Sequence, residues 1–243
     1  YIIGWANKTY PQYDGFNVGY ISNLSSKEKL IILDSASGQA IGGGYPPSRN
    51  NAVGKWNNVS NPLDTVNMFN AGGTDAFGID SEVVVLGWDS TDTHSDTDNF
   101  WQEIYTDTKT SDNQEFSTGT IDAKKYLWLQ FYQKGHTGNS YLNFNADSGS
   151  NYARRHSING ASDATVISQT TLNNVLTGGT EDSQTFTNMF IINNSASEKV
   201  GIFTTTFNAA GSTGAGNSPQ IIEGVVKWSN TSSSITSLTV TDN

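Results

Sequence analysis

The chain has 243 residues, with 13 Lys and Arg against 23 Asp and Glu, and a formal net charge of −10 at pH 7. This acidic balance argues against nucleic-acid binding, because phosphate contacts need a basic surface. The absence of cysteine excludes disulfides, thiolate zinc sites and cysteine nucleophiles. The apolar runs are far shorter than the roughly 20 residues that span a bilayer as a helix, so we expect no membrane span.

Short runs of β-branched and aromatic residues alternate with clusters of Gly, Asn, Ser and Asp, a pattern typical of strands joined by turns. The predicted strands are residues 29–33, 65–69, 82–88, 126–132, 140–144, 165–170, 185–192, 199–207, 221–228 and 234–241. Residues 98–106 are predicted to form a short helix or the start of a strand. The sequence therefore predicts an all-β fold, a β-sandwich of jelly-roll type.

An internal repeat is the strongest signal in the chain. Residues 21–32 match residues 192–202 at an offset of about 170, and residues 47–60 match residues 219–232 at an offset of 172. Both copies contain a Glu-Lys strand, a Gly-rich loop, a Lys-Trp strand and an Asn-x-Ser turn. We therefore predict that the sandwich is internally duplicated.

The two copies differ at their ends. Residues 1–92 are predicted to hold copy one, and residues 93–243 copy two, which lacks its closing strand; an acidic linker at 89–98 separates them. Three explanations stay open. The chain is a piece of a longer modular protein, or a neighbouring chain supplies the missing strand at an open sheet edge, or both copies form one closed sandwich.

No motif indicates catalysis. The carboxylates lie mostly in polar loops, and His94, His136 and His156 lie in separate segments without the spacing of metal ligands. No Gly-x-Ser-x-Gly motif occurs. We therefore predict no catalytic residue, no obligate cofactor and no enzymatic activity.

One loop has the composition of a calcium site. Asn145, Asp147 and Asn151 place side-chain oxygens on alternate positions after an aromatic strand. Hard oxygen ligands on a tight loop are what Ca²⁺ prefers. The alternative is an ordinary Asx turn, since the loop is shorter than an EF-hand loop and has no closing Glu.

Two further sets of residues are candidates for binding. Arg154 and Arg155 form the one dense basic spot, which fits either an acidic ligand or charge balance for nearby carboxylates. Trp56 and Trp228 occupy equivalent repeat positions, each after a Lys, and fit either a ligand platform or core packing, of which packing is favoured.

Several segments resemble β-rich structural proteins of marine tailed viruses. They are the strand 122–130, the loop Phe-Asn-Ala-Asp-Ser-Gly-Ser-Asn-Tyr at 144–152, the segment 190–199 with its Glu-Lys, and Lys-Trp-Ser-Asn-Thr-Ser at 227–232. Proteins of that family are thought to be jelly-roll or lectin-like sandwiches of the capsid decoration or tail-fibre type. The resemblance implies no particular binding or catalytic residue.

These observations predict a non-enzymatic virion surface protein, located on the virion or extracellularly. It would act through contacts with other virion proteins and with copies of itself, as a homo-oligomer such as a trimer. The alternative is a carbohydrate-binding sandwich that presents exposed aromatic rings to a glycan, with calcium held near Asp147.

Overall fold

The computed structural model describes residues 14–68, 77–79, 81–86, 101–110, 115–134, 139–173, 175–176, 184–208 and 215–242. The described residues form strands and loops without a helix. In chain order the strands are β1 (Gly15–Ile21), β2 (Lys29–Ser37), β3 (Ser48–Trp56), β4 (Glu115–Ser117), β5 (Tyr126–Lys134), β6 (Ser140–Phe144), β7 (Tyr152–Ile158), β8 (Ala164–Gln169), β9 (Leu172–Asn173), β10 (Gln184–Ile192), β11 (Lys199–Phe207), β12 (Gln220–Trp228) and β13 (Leu238–Asp242). The all-β prediction is confirmed.

The strands form three antiparallel sheets. The largest has the order β5-β10-β11-β12-β7-β8, a second has the order β4-β13-β6-β9, and the third is the meander β1-β2-β3. The large sheet contains a meander of its own, β10-β11-β12, with the same strand lengths in its last two strands as β2 and β3. We call β1-β2-β3 the first meander and β10-β11-β12 the second meander.

The six-stranded and four-stranded sheets pack face to face as a β-sandwich. Alternation along each strand sends every second side chain into the shared core. Phe203 of β11 and Trp228 of β12 meet Phe144 of β6 and Val240 of β13 there. The core is continuous across the two sheets, which fixes which face of the second meander points inward.

The first meander lies on the outer face of the second. Ala36 of β2 packs against Val200 and Val225, with Phe16 and Ile202 at the edge of the same cluster. Val200 and Val225 alternate with core residues along their strands, so they point away from the sandwich core. The outer face of the second meander is therefore covered around Val200 and Val225.

Some local predictions were wrong. Residues 65–68 and 82–86, the described parts of two predicted strands, lie outside strands, and residues 101–106 form no helix. The side chains at 83–86 are exposed. Strand-like composition alone does not make a strand, because each strand needs a neighbour for its hydrogen bonds. The predicted linker at 89–98 lies outside the described residues.

Two long strands were missed, namely β1 and β7, and β3 was predicted only as the Lys-Trp strand of the repeat. β7 contains Arg154, Arg155 and His156, so it lacks the apolar alternation that predicts a strand. The neighbours of β1 and β7 in the sheets supply the hydrogen bonds that hold them extended. A search of the described residues finds no helix with the length and hydropathy needed to cross a membrane.

Candidate functional site

The second meander closes with a lysine held over a tryptophan. Lys199 and Trp228 are register partners on β11 and β12, and the ammonium lies 5.4 Å from the ring centre. The Lys199 ammonium donates to the carbonyls of Ser197 at 2.9 Å and Asn230 at 2.8 Å. Both side chains are buried, and burial lowers the pKa of Lys199 to about 8.

The first meander repeats this arrangement. Lys29 and Trp56 are register partners, with 5.5 Å between the ammonium and the ring centre. The Lys29 ammonium donates to the carbonyls of Lys27 at 2.9 Å and Asn58 at 2.8 Å. Trp228 is fully buried and Trp56 is half-buried, so both candidate tryptophans serve as packing and cation-π partners. Trp228 presents no ring to a ligand.

One asparagine after the first strand of each meander binds the backbone of a later segment. Asn23 exchanges two hydrogen bonds with the backbone of Leu63, at 2.8 and 2.6 Å. Asn193 does the same with Ile235, at 3.0 and 2.5 Å. Asn23 and Asn193 are 170 positions apart, in line with the offset of about 170 in the sequence.

A second lysine in each meander pairs with a glutamate, and here the two meanders differ. Lys227 lies 3.3 Å from Glu198, with side-chain exposures of 0% and 11%. The equivalent Lys55 lies 3.2 Å from Glu28, with exposures of 55% and 44%. The two ion pairs therefore occupy opposite environments.

The first meander is what buries the Lys227–Glu198 pair. The loop after β2 lays its backbone on the pair: Lys227 donates to the carbonyl of Ala40 at 2.7 Å, and the N–H of Gly42 donates to Glu198 at 2.7 Å. At Gly43, a Cβ would lie 2.3 Å from the carbonyl oxygen of Ser150, so this approach requires glycine. The loop therefore packs in close contact with the residues that it covers.

The candidate calcium loop is a hydrogen-bonded turn. Asn145 and Ala146 both have positive φ, and the Asn145 side-chain oxygen accepts from the backbone N–H groups of Thr236 and Ser237 at 2.8 and 3.0 Å. These bonds tie the loop to the segment before β13. The oxygen of Asn145 is thus already engaged.

Asp147 is engaged in the same way. Its carboxylate accepts from the N–H of Gly149 at 2.8 Å, the amide of Asn151 at 3.0 Å and the indole of Trp228 at 2.7 Å. Burial alone would raise the pKa of Asp147, but these hydrogen bonds lower it below its usual value. Across the described ranges no group of three His, Cys, Asp or Glu could hold a metal ion. Calcium binding here stays a prediction.

The two candidate arginines have separate roles. Arg154 is buried on β7, where its guanidinium lies 3.3 Å from the ring of His156. Arg155 instead donates to the carbonyl of Pro47 at 3.0 Å and so binds the loop of the first meander. The basic spot is therefore divided between the interior and the contact between meanders.

Arg49 was not singled out in the sequence, although it forms two ion pairs that tie the first meander to residues of the six-stranded sheet and its β7–β8 loop. Its guanidinium lies 3.2 Å from the carboxylate of Asp163 and 3.1 Å from that of Glu223, and it also donates to the hydroxyl of Ser157. The local sequence around Arg49 gives no indication that this residue forms ion pairs with residues far away in the chain. Only the tertiary arrangement identifies it.

We expect the chain to lose stability in acid through His156. Burial and the nearby charge of Arg154 lower the pKa of His156 from 6.5 to about 4. As the pH falls between these values the unfolded chain binds the proton first, so stability is lost over this window. Urea unfolding at pH 7 and pH 4.5 checks this: the midpoint should fall more in the wild type than in His156→Gln. Equal falls would contradict it.

A scan of protein-family models finds no match to this chain, and searches of curated proteins and of solved structures also find none.

Proposed function

We propose that this is a non-enzymatic structural protein of a virion surface, a capsid decoration or tail-fibre component, that acts by self-association and surface contacts. The observation that carries the proposal is the docking of the first meander on the second through the Lys227–Glu198 pair. A module whose sheet face is built to receive another module is suited to assembly. The virion setting rests on the sequence resemblance.

We further propose that the two meanders belong to two copies of one jelly-roll-type module. The repeated lysine–tryptophan, asparagine–backbone and lysine–glutamate contacts support this. Equivalent residues make equivalent bonds at constant offsets, which chance similarity of composition does not explain.

The residues with reactive chemistry support a structural role as well. Asp147, Arg154 and Lys199 are committed to internal partners, as described above. The described surface instead carries exposed apolar side chains on the sheets, including Leu30, Val53 and Tyr132. Exposed apolar faces of this kind are typical of interfaces.

Sedimentation velocity of the full chain over a concentration series tests the proposal. We expect species at multiples of the 26.2 kDa chain mass, with a trimer if the subunits close a three-fold ring. A particle of one chain mass at every concentration from micromolar to millimolar would contradict self-association.

A carbohydrate-binding role is the second candidate, favoured by an aromatic cluster on β5 and β10. Trp128 stacks on Phe190 with 5.3 Å between ring centres, and Trp101 meets Trp128 edge-on at 5.5 Å. Trp101 and Trp128 keep more than a third of their surface exposed, as does Tyr132 on the same strand. Exposed rings in a row suit stacking on sugars.

Glycan-array binding of the wild type and of Trp128→Ala tests this candidate. We expect the substitution to reduce binding of any retained glycan about fivefold, since one ring contact contributes on the order of 1 kcal/mol. Tyr45→Ala, another exposed aromatic outside the cluster, serves as control. Arrays with and without chelator test whether the calcium predicted near Asp147 takes part in glycan binding. A wild type that binds no glycan would discard the candidate.

A further inference from the structure

The first meander carries an exposed version of the face that is covered in the second. We call this surface the receiving face. In the second meander it consists of Glu198, Val200, Ile202, Val225 and Lys227. In the first meander the register-equivalent residues are Glu28, Leu30, Ile32, Val53 and Lys55.

The two receiving faces differ sharply in exposure. Val225 is fully buried, whereas its equivalent Val53 is 83% exposed. Val200 is buried as well, whereas Leu30 is more than half exposed. Three adjacent apolar side chains beside an ion pair are exposed in the first meander, whereas their equivalents are covered in the second. An exposed apolar patch of this kind is typical of an interface.

The structure also shows what fills such a face. The covering surface, which we call the capping end, is the far end of the first meander, where Phe16, Ala36 and Arg49 are register neighbours. Ala36 packs on Val200 and Val225. The capping end and the receiving face of one meander point outward from the same side of the sheet.

The second meander has its own capping end. Phe186, Thr206 and Ile221 are register neighbours there and correspond to Phe16, Ala36 and Arg49. Phe186 is 43% exposed and Thr206 is exposed. Each chain therefore presents one open receiving face, on the first meander, and one open capping end, on the second.

The two open surfaces are compatible in charge. In the covered contact, Arg49 of the capping end pairs with Glu223 next to the receiving face. The equivalents in the open surfaces are Ile221 and Asn51. Both charges of the pair are replaced together, so docking the open surfaces would leave no unpaired Arg or Glu.

We infer that a second copy of this chain docks the capping end of its second meander on the receiving face of the first meander. This inference rests on the proposed self-association and names its surface. The contact is heterologous, since two different surfaces meet, so repetition extends a head-to-tail chain or closes a ring. Val53 belongs to the receiving face and Phe186 to the capping end.

The contact between chains should be weaker than the equivalent contact within the chain. The intramolecular version benefits from the high effective concentration of a tethered partner, which the contact between chains lacks. On a particle that displays many copies, neighbouring contacts would reinforce one another. Association of the free chain is therefore measured up to millimolar concentration.

A complementation experiment with full-length variants tests the inference. Val53→Asp blocks the receiving face and Phe186→Asp blocks the capping end. We expect each variant alone to sediment as one chain, because neither retains both surfaces. An equimolar mixture should give a particle of twice the chain mass, since Phe186→Asp keeps an open receiving face and Val53→Asp an open capping end.

Controls separate this inference from the proposed function. Ile167→Asp alters a half-exposed apolar residue on β8, away from both surfaces, and should associate like the wild type. If Phe186→Asp fails to fold, as judged by circular dichroism, Thr206→Arg replaces it. Association that persists in Val53→Asp would overturn the inference and leave self-association standing. A wild type that stays at one chain mass would overturn both.

Discussion

Trp228→Ala is expected to lower the free energy of unfolding by about 3–5 kcal/mol, the range for removing a large buried aromatic side chain. Trp228 is fully buried between Phe144 and Tyr152, with ring centres 5.8 and 6.5 Å away. Its indole also donates to Asp147, and its ring lies beside the Lys199 ammonium. The substitution therefore opens a cavity and leaves the half-buried carboxylate of Asp147 short of one donor. Urea denaturation monitored by circular dichroism measures the loss.

Trp56→Ala is the matched control for this prediction. It removes the same side chain from the equivalent position, but Trp56 is half-buried. We expect a loss of about 1–2 kcal/mol, in proportion to the smaller apolar area removed from water. Equal losses for the two substitutions would contradict the different burial of the two tryptophans.

Lys227→Met is expected to cost about 3–5 kcal/mol, because it leaves a buried carboxylate without its partner. Methionine retains the apolar volume, so the loss arises from Glu198 and from the carbonyl of Ala40, which both lose a donor. Burial lowers the pKa of Lys227, and the charge and hydrogen bond of Glu198 act in the opposite direction. Thermal and urea unfolding of the variant measure the effect.

Lys55→Met makes the same change in the exposed copy. The Lys55–Glu28 pair is solvated on both sides, so we expect a change within about 1 kcal/mol. The difference between the two variants then reports the covering of the receiving face by the first meander. If Lys227→Met cost no more than Lys55→Met, the first meander would not be docked as described.

Much of the sandwich was predictable because its central strands alternate clearly. Along β11, buried side chains such as Phe203 alternate with more exposed ones, and the prediction for 199–207 matches the strand. β7 escaped prediction because Arg154 and His156 are polar yet buried, beside each other in the interior. Polar residues that are buried inside a sheet have the sequence pattern of a loop.

The candidate site shows a similar division. The repeat placed Trp56 and Trp228 at equivalent positions, and their lysine contacts are equivalent. It could not predict that Lys227 would be buried and Lys55 exposed, since both lie in the same local sequence. That difference depends on a contact with residues more than 180 positions away in the chain, at Ala40, and such contacts leave no local pattern.

Amide hydrogen exchange at Gly42, measured by NMR on the wild-type chain, tests the central claim that one meander docks on the other. The N–H of Gly42 is bonded to Glu198, across the contact. We predict exchange about 100-fold or more slower than in an unstructured peptide, and faster exchange in Lys227→Met. Exchange of the wild-type amide at the unstructured rate would contradict the docking.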